Sequence, residues 1–490
     1  MSVAPALPAS GSLSMSVIQT AMGGTGAVHL SKYARKAGIA SVSPTISQFQ
    51  SKTHAMESGF LYRTFAGYFG NLVDNAPGSD DVTWFDRQTE TNSGLVTDMS
   101  NINTATNGTY AVDVTTQTDY SVDWFGYFFA PSSGTYTFSV NADDACYIWI
   151  GPTALSGYLY SNALINDGNL HGPALTLTGT YSMTAGTYYP MRIVFGQHLY
   201  GNNMTVSFSG PAISTTSNFS GYAFSPLGTA SAYPGLSARL IKKVYATTAD
   251  GPYYINVNGV STLTYCLMDS KWDGGGWMML MKATRGNTFP FTSSYWTDTG
   301  TTLNVSDVNR TDGDAKYNTM NYSMVKDVLA LWPDAGTNGG SVSQADSWSW
   351  MVNNYYSSGT RCTFLTGVST TNSRDSPVGP NPTSFNGYST SIWSAQNVAM
   401  RHVFGGGSHL TGPPTYAAGV WGPPNNVIRW GFLWNENQPD NFTSSDVVGG
   451  IGFGLNWGPT PPTWSAGDWI GCCQSNTGLN RSMRVEVYGR

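Results

Sequence analysis

Apolar and polar side chains alternate at intervals of two over much of the first half of the chain. Tyr136-Thr-Phe-Ser-Val140, Tyr147-Ile-Trp-Ile150, Arg192-Ile-Val-Phe195 and Met204-Thr-Val-Ser-Phe208 carry aromatic and β-branched residues in that rhythm. A strand turns successive side chains to opposite faces, so the pattern predicts half-buried antiparallel strands packed as a β-sandwich over residues 58–212. Residues 1–57 break the rhythm. A Pro/Ser/Gly-rich start leads into Ser14-Met-Ser-Val-Ile-Gln-Thr-Ala-Met22, which predicts a short helix capped by Ser and closed by Gly23-Gly24, with a second short helix expected from Leu30 to Ala37. Such a stretch is expected to bury no core of its own. Residues 213–237, rich in Ser, Thr, Gly and Pro, read as a linker. Residues 238–490 form a further unit rich in Trp and Gly, with irregular runs such as Thr370 to Ser389, a kind of loop that usually carries function or binds ions.

Composition supports this division. The 490 residues exceed the roughly 250 to 300 at which a single core stops growing. Only 11% of residues are charged, while 56 are Gly and 13% are aromatic, which suits short strands joined by tight turns rather than long amphipathic helices. The net charge of −6 and the absence of any basic run longer than Lys242-Lys243 leave nothing to neutralise a phosphate backbone, so no nucleic-acid partner is expected. No stretch of about 18 apolar residues occurs, and no membrane insertion is expected. Met1-Ser-Val-Ala-Pro5 lacks the basic and apolar regions of a signal peptide, so synthesis in a cytoplasm is expected. Five cysteines are too few and oddly numbered for a disulfide framework, and a reducing site of folding fits better. The adjacent Cys472-Cys473 admits a vicinal disulfide, a soft-metal site or no special role.

Trp124-Phe-Gly-Tyr-Phe128, Ser133-Gly-Thr-Tyr-Thr-Phe138, Ala142-Asp-Asp-Ala-Cys-Tyr-Ile-Trp-Ile150 and Gly186-Thr-Tyr-Tyr-Pro-Met-Arg-Ile193 follow one another in an order that resembles the GLEYA and protective-antigen type of lectin-like domain. The resemblance implies a calcium ion held by adjacent aspartates through a strained peptide bond, with two vicinal hydroxyls of a glycan on the ion. Asp143 and Asp144 stand at those positions, and Asn202 or Asn203 in His198-Leu-Tyr-Gly-Asn-Asn203 stands where the family places an amide ligand. A hard cation takes several oxygens at about 2.4 Å, and paired carboxylates offset its charge. The same Asp pair can instead merely shape a turn by bonding to nearby amides.

Asp250-Gly-Pro-Tyr-Tyr-Ile255, Thr264-Tyr-Cys-Leu-Met268, Asp273-Gly-Gly-Gly-Trp-Met-Met-Leu280 and Met483-Arg-Val-Glu-Val-Tyr488 resemble the fibrinogen C-terminal family, intelectins in particular. Together the two resemblances imply a mainly β protein, an antiparallel β-sandwich followed by a fibrinogen-like α+β domain with extensive loops. The cysteine that this family pairs with the one at Cys266 is replaced by the Ser237-Ala238 region, so that disulfide is expected to be missing. The intelectin calcium loop resembles Thr311-Asp-Gly-Asp-Ala-Lys-Tyr-Asn318, which offers Asp312, Asp314 and Asn318 as ligands, although Asp-Gly-Asp is also common in plain turns. The His and Glu of the intelectin glycan pocket have no counterpart between Gly452 and Cys473. Trp457, Trp464 and Trp469 there can stack on a pyranose, with Trp464 the carbohydrate-binding candidate, or pack in a core.

Neither a Gly-x-Ser-x-Gly elbow, nor His-Glu-x-x-His, nor a phosphate-cradling Gly-Lys-Ser/Thr occurs, and the six histidines are scattered, so no enzyme is expected. Leu13-Ser-Met-Ser-Val-Ile-Gln19 and Ile46-Ser-Gln-Phe49 resemble a segment of phage and large DNA virus structural proteins. With the missing signal peptide, this implies a virion protein of capsid surface, fibre or tail. Residues 1–57 would anchor to other virion proteins, while the β modules bind host surface glycans through calcium in multimeric display. A purely architectural capsid or tail protein is one alternative. A cellular adhesin or lectin, glycosylated at sequons such as Asn107-Gly-Thr109 and Asn441-Phe-Thr443, is the other.

Overall fold

The structure is a computed structural model that describes residues 6–11, 13–23, 29–50, 52–70, 80–100, 118–173, 176–245, 248–333, 348–352, 360–369, 374–376, 401–408, 427–434, 447–454, 464–470 and 481–490. Both sequons, Trp457, Cys472-Cys473 and all of the 370–389 run except the strand Arg374–Ser376 lie outside those residues. The chain divides into two compact units, Met1–Leu263 and Thr264–Arg490. Among the described residues no helix is long and apolar enough to cross a membrane.

The first unit holds the expected β-sandwich. Its strands are β1 (Met56–Ser58), β2 (Phe60–Ala66), β3 (Asn92–Val96), β4 (Tyr120–Ala130), β5 (Gly134–Asp143), β6 (Cys146–Ile150), β7 (Ile165–Asp167), β8 (Leu177–Met183), β9 (Thr187–Gln197), β10 (Asn203–Gly210), β11 (Ile213–Thr216) and β12 (Ala223–Pro226). The larger sheet runs β1-β12-β4-β9-β6-β7, with β2 added on β4 and β3 on β2, and the smaller runs β11-β10-β5-β8. The strands of these two sheets pair antiparallel, and β4 and β9 match from Tyr120–Gln197 to Ala130–Thr187. Inward-facing Trp124, Phe128, Ile148 and Ile193 of the larger sheet meet Phe138, Val140, Val206 and Phe208 of the smaller one in a buried apolar core.

Period-two burial holds in the smaller sheet, where β10 alternates half-buried and buried positions. It fails in the larger sheet, because every residue of β4 and β6 is buried. The outer face of that sheet is covered in turn by Phe65, Phe69, Phe85, Trp149 and Tyr158, an aromatic layer assembled from residues distant in sequence. Beneath it lies a buried ionic network. Arg63 and Arg192 both donate to Asp123 Oδ2, the latter at 2.9 Å, and Arg192 also reaches Asp86 Oδ1 at 3.5 Å with its guanidinium 3.9 Å from the centre of the Tyr158 ring.

Two sequence expectations are corrected here. The 213–237 stretch is not a linker: β11 and β12 sit inside the two sheets, and the helix Ala238–Val244, capped by the Ser237 hydroxyl, follows in the same unit. β-Strand pairing with β10, β4 and β1 supplies the backbone partners that its polar composition concealed. Residues 1–57 are not a bare tether either. Both predicted helices form, at Met15–Ala21 with Ser14 as N-cap and at Leu30–Lys36, and Ile18, Met22, Tyr33, Ala34, Ile39 and Phe49 pack as a small core. The segment is fastened to the sandwich by Arg35 over the Phe129 ring at 3.4 Å, by Tyr233 donating to Gly38 O at 3.1 Å, and by Lys36 and His54 against Glu57 of β1.

The second unit contains the neighbouring strands Trp277–Ala283, Val485–Gly489, Val328–Trp332 and Trp348–Val352 in that order. Another sheet runs Arg374–Ser376, Arg401–Ser408, Val427–Trp434, Val447–Gly454, Ala466–Ile470, Arg481–Ser482. All of these neighbours whose register is known are antiparallel. Short helices at Asn318–Tyr322 and Phe364–Ser369 complete a mainly β architecture. Gly274, Gly275 and Gly276 all take positive φ ahead of the buried Trp277, a turn that glycine makes without steric cost. Trp277 Nε1 donates to Trp272 O at 2.6 Å.

Candidate functional site

Three connections cross between the two sheets at the end of the sandwich where β5 finishes. Asp143-Asp144-Ala145 leads from β5 to β6, residues 198–202 lead from β9 to β10, and the loop that contains His171 leads from β7 to β8. The antiparallel register puts Asn203, the first residue of β10, directly opposite Asp143, the last of β5. The sequence pattern thus brings together Asp143, Asp144, Asn202 and Asn203, which lie far apart along the chain.

Each group is held differently. The Asp143–Asp144 peptide bond is cis. Asp144 is fixed by one backbone amide on each oxygen, His171 N to Oδ1 at 2.9 Å and His198 N to Oδ2 at 2.9 Å. Asp143 is only 6% exposed, yet its carboxylate accepts no hydrogen bond among the described residues. Burial first, and then the neighbouring Asp144, raise the Asp143 carboxyl above its ordinary range, against a smaller opposing pull from His171. Asp144 is also raised by burial, with the two backbone amides pulling the other way. The bond of His171 to Asp167 lifts the imidazole pKa to about 9.

The amides complete the set. Asn202 Oδ1 accepts from the Tyr120 hydroxyl at 2.5 Å, while its buried Nδ2 has no partner. A half-turn of the carboxamide exchanges the two atoms, keeps a bond to Tyr120, whose hydroxyl can also accept, and frees an oxygen for a cation. Asn203 Nδ2 donates to Asn141 Oδ1 at 3.0 Å. A buried carboxylate without a donor, a second carboxylate beside it and an amide with an orphaned position form an oxygen-rich set short of positive charge. These residues fit a hard divalent cation. Among the described residues no group of three or more His, Cys, Asp or Glu gathers as a metal site, so any cation here would depend on the asparagines and on backbone or ligand oxygens.

In the second metal set expected from sequence, both carboxylates have protein partners. Asp312 faces Arg285 Nη1 at 2.7 Å, and Asp314 accepts from Thr284 N at 2.9 Å and the Thr288 hydroxyl at 2.6 Å. Asn318 begins the helix Asn318–Tyr322. The cation of this loop is a side chain: the buried Lys282 Nζ lies 2.9 Å from Asp307 Oδ2, 3.1 Å from Asn309 O, 3.3 Å from Asn309 Oδ1 and 3.0 Å from Thr311 O. The one lysine in the apolar run Trp277-Met-Met-Leu-Met-Lys-Ala283 was the available sign of it. Trp464 is half-buried in the second unit, and the side chains of Trp469 and Asp468 lie outside the described residues.

Comparison with known proteins places the site in a family context. Residues 120–210 match the GLEYA domain. The chain is 29% identical over 125 residues to flocculation protein FLO9 of Saccharomyces cerevisiae, a match covering 22% of this chain and 9% of that protein. It is 31% identical over 123 residues to flocculation protein FLO1 of the same yeast, covering 23% of this chain and 8% of the relative. The chain therefore spans under a tenth of the length of these two relatives. Among solved structures, the A domain of epithelial adhesin 9 from Candida glabrata in complex with Galb1-4GlcNAc is 18% identical, with a TM-score of 0.28 over 35% of this chain and 90% of that one. The virion location expected from the N-terminal segment is contradicted by the likeness to flocculation proteins of a yeast.

Proposed function

We propose that the first unit is a calcium-dependent carbohydrate-recognition module of a cellular adhesin or lectin. The observation that carries this reading is Asp143, a buried carboxylate without a hydrogen-bond donor, set beside Asp144 and across from Asn203. Asp143, Asp144, Asn202 and Asn203 would hold the ion, and the GLEYA match and the flocculation-protein relatives support the assignment. Bound calcium, which takes roughly six to eight oxygens, supplies coordination places at which a vicinal diol of a sugar replaces water. Asp144 is oriented by the His171 and His198 amides. Tyr200, 91% exposed in the adjoining loop, offers an aromatic face to the apolar side of a pyranose.

Recognition without bond breaking is part of this proposal. The sequence presents no nucleophile or catalytic metal constellation, and the acidic pair is accounted for by the cation. For the second unit, its resemblance to fibrinogen C-terminal domains supports a further recognition surface. Display of several copies would raise the avidity of weak individual sites by orders of magnitude.

The test is calcium titration of the full chain by calorimetry, followed by glycan-array binding with calcium and with a chelator. Saturable calcium uptake, its loss in Asp143→Ala and chelator-sensitive retention of one glycan class are expected. A wild-type chain that takes up no calcium and retains no glycan sinks the reading.

A further inference from the structure

Asp80 lies outside the set just described, in the connection between β2 and β3. It is 6% exposed, and nothing in the proposed cation site uses it. Its Oδ2 accepts the Tyr147 hydroxyl at 2.7 Å and the Asn169 backbone amide at 3.0 Å, and Tyr68 OH reaches Oδ1 at 3.5 Å. Asn169 has a φ of 77°, a left-handed conformation that a non-glycine residue adopts where its surroundings hold it. Two residues further on, His171 N donates to Asp144 Oδ1.

A buried carboxylate is costly unless its oxygens are satisfied, and here the satisfying groups are a strand tyrosine and one loop amide. Tyr147 belongs to β6, so Asp80 ties the 169–171 loop to the larger sheet at a fixed place. That loop then delivers one of the two amides that orient Asp144. Gly70 shows how closely the carboxylate is seated, since a Cβ there would stand 2.1 Å from Asp80 Oδ1.

Resting on the calcium reading above, we infer that Asp80 is a positioning residue for the cation site, acting through Asn169 and His171 on the orientation of Asp144. Removing it frees the loop, withdraws the His171 amide and leaves Asp144 to rotate away from the ion. Partners of this outer kind tune metal affinity by about 10- to 100-fold.

The experiment compares full-length wild type, Asp80→Ala, Asp80→Asn and a control, Phe128→Leu, which weakens the core away from the site. Calcium Kd, melting temperature in chelator and amide hydrogen exchange of His171 in the metal-free protein are measured on each. Asp80→Ala is expected to raise the calcium Kd by about 10-fold or more and to speed His171 exchange. Asp80→Asn, which keeps an acceptor oxygen, should lie between it and wild type. Phe128→Leu should lower the melting temperature with calcium Kd and His171 exchange unchanged. Should Asp80→Ala fail to fold, Asp80→Asn carries the comparison. Unchanged affinity and exchange in the Asp80 variants, or an equal loss of affinity in Phe128→Leu, overturns the inference while leaving the calcium site intact. Failure of wild type to bind calcium overturns the site reading itself.

Discussion

Gly201 and Asp143 touch so closely that a Cβ on the glycine would stand 1.7 Å from Asp143 Oδ2. The backbone of the β9–β10 connection therefore forms the wall on which the unbonded carboxylate rests. Gly201→Ala must push that carboxylate aside, because Asp143 is a short side chain with little buried room in which to move. The expected result is a calcium Kd raised by about 10- to 100-fold, as for other groups that orient a ligand, with little change in far-ultraviolet circular dichroism. Calorimetric titration checks it, and wild-type affinity in the variant would show that the carboxylate is not placed by this contact.

Acid should release the ion before ordinary carboxylates titrate. Burial raises both Asp143 and Asp144 in the metal-free protein, and Asp144 adds to the shift at Asp143, so protons compete with calcium above the usual carboxylate range. The sign for stability follows from the same shifts. A carboxyl whose folded pKa is raised favours the folded state fully below its unfolded value, and that contribution is lost as pH rises through the folded value. Calcium affinity is thus expected to fall as pH is lowered, beginning above the usual carboxylate range, while the same acidification relieves the repulsion in chelator-treated protein. Calcium titrations and melting curves across that fall in pH test both halves, and an affinity independent of pH would remove the acidic pair from the site.

How far the sequence revealed all this depended on whether a residue's partners were local. Asp143-Asp144 and Asn202-Asn203 were singled out by the resemblance to the lectin-like domain, and the register of β5 and β10 sets Asn203 opposite Asp143. Asp80 was not legible, since a lone acidic residue in a connection gains its role from Tyr147 and Asn169 only after the chain folds. The fully buried β4 misled for a similar reason: Phe125, Tyr127 and Phe129 on its second face are covered by Met56, Tyr188 and Tyr233, none of them its neighbours in sequence. The polar stretch around Ile213 to Pro226 read as a linker because composition records solvent preference, whereas edge strands take their hydrogen bonds from adjoining strands. For Asp312 and Asp314 the sequence did not show their partners, Arg285 for the one and Thr284 and Thr288 for the other, because these stand some thirty residues away along the chain.

Lys282 yields a stability prediction for the second unit. Lys282→Met keeps the length and apolar stem but withdraws the ammonium from Asp307, Asn309 and Thr311, leaving buried acceptors without a donor. A loss of about 1–3 kcal/mol is expected, read from urea denaturation followed by tryptophan fluorescence. Added calcium should leave the wild-type transition of this unit unmoved, because the loop already contains its cation. A calcium-induced rise there would show that the aspartates retain metal-binding capacity.

Asp123 offers the sharpest separation between charge and packing. It sits on β4 with its side chain fully buried and accepts from both Arg63 and Arg192, whose own side chains are almost entirely enclosed. Burial pushes the Asp86 carboxyl upward, but Arg192, Arg63 and the Tyr158 hydroxyl outweigh it and hold Asp86 below its ordinary range, so this second acid shares the positive charge. Asp123→Ala leaves two guanidinium groups in an aromatic layer with one partly exposed acid between them. Breaking a buried pair in this way costs about 3–5 kcal/mol. Removing the charges together should cost less, because apolar side chains of similar size refill the layer without desolvated ions. The triple variant Asp123→Leu, Arg63→Leu, Arg192→Met is therefore expected to be more stable than Asp123→Ala alone in urea denaturation. The opposite order would mean that the arginines stabilise the sheet chiefly by stacking on Phe65 and Tyr158 rather than by neutralising Asp123.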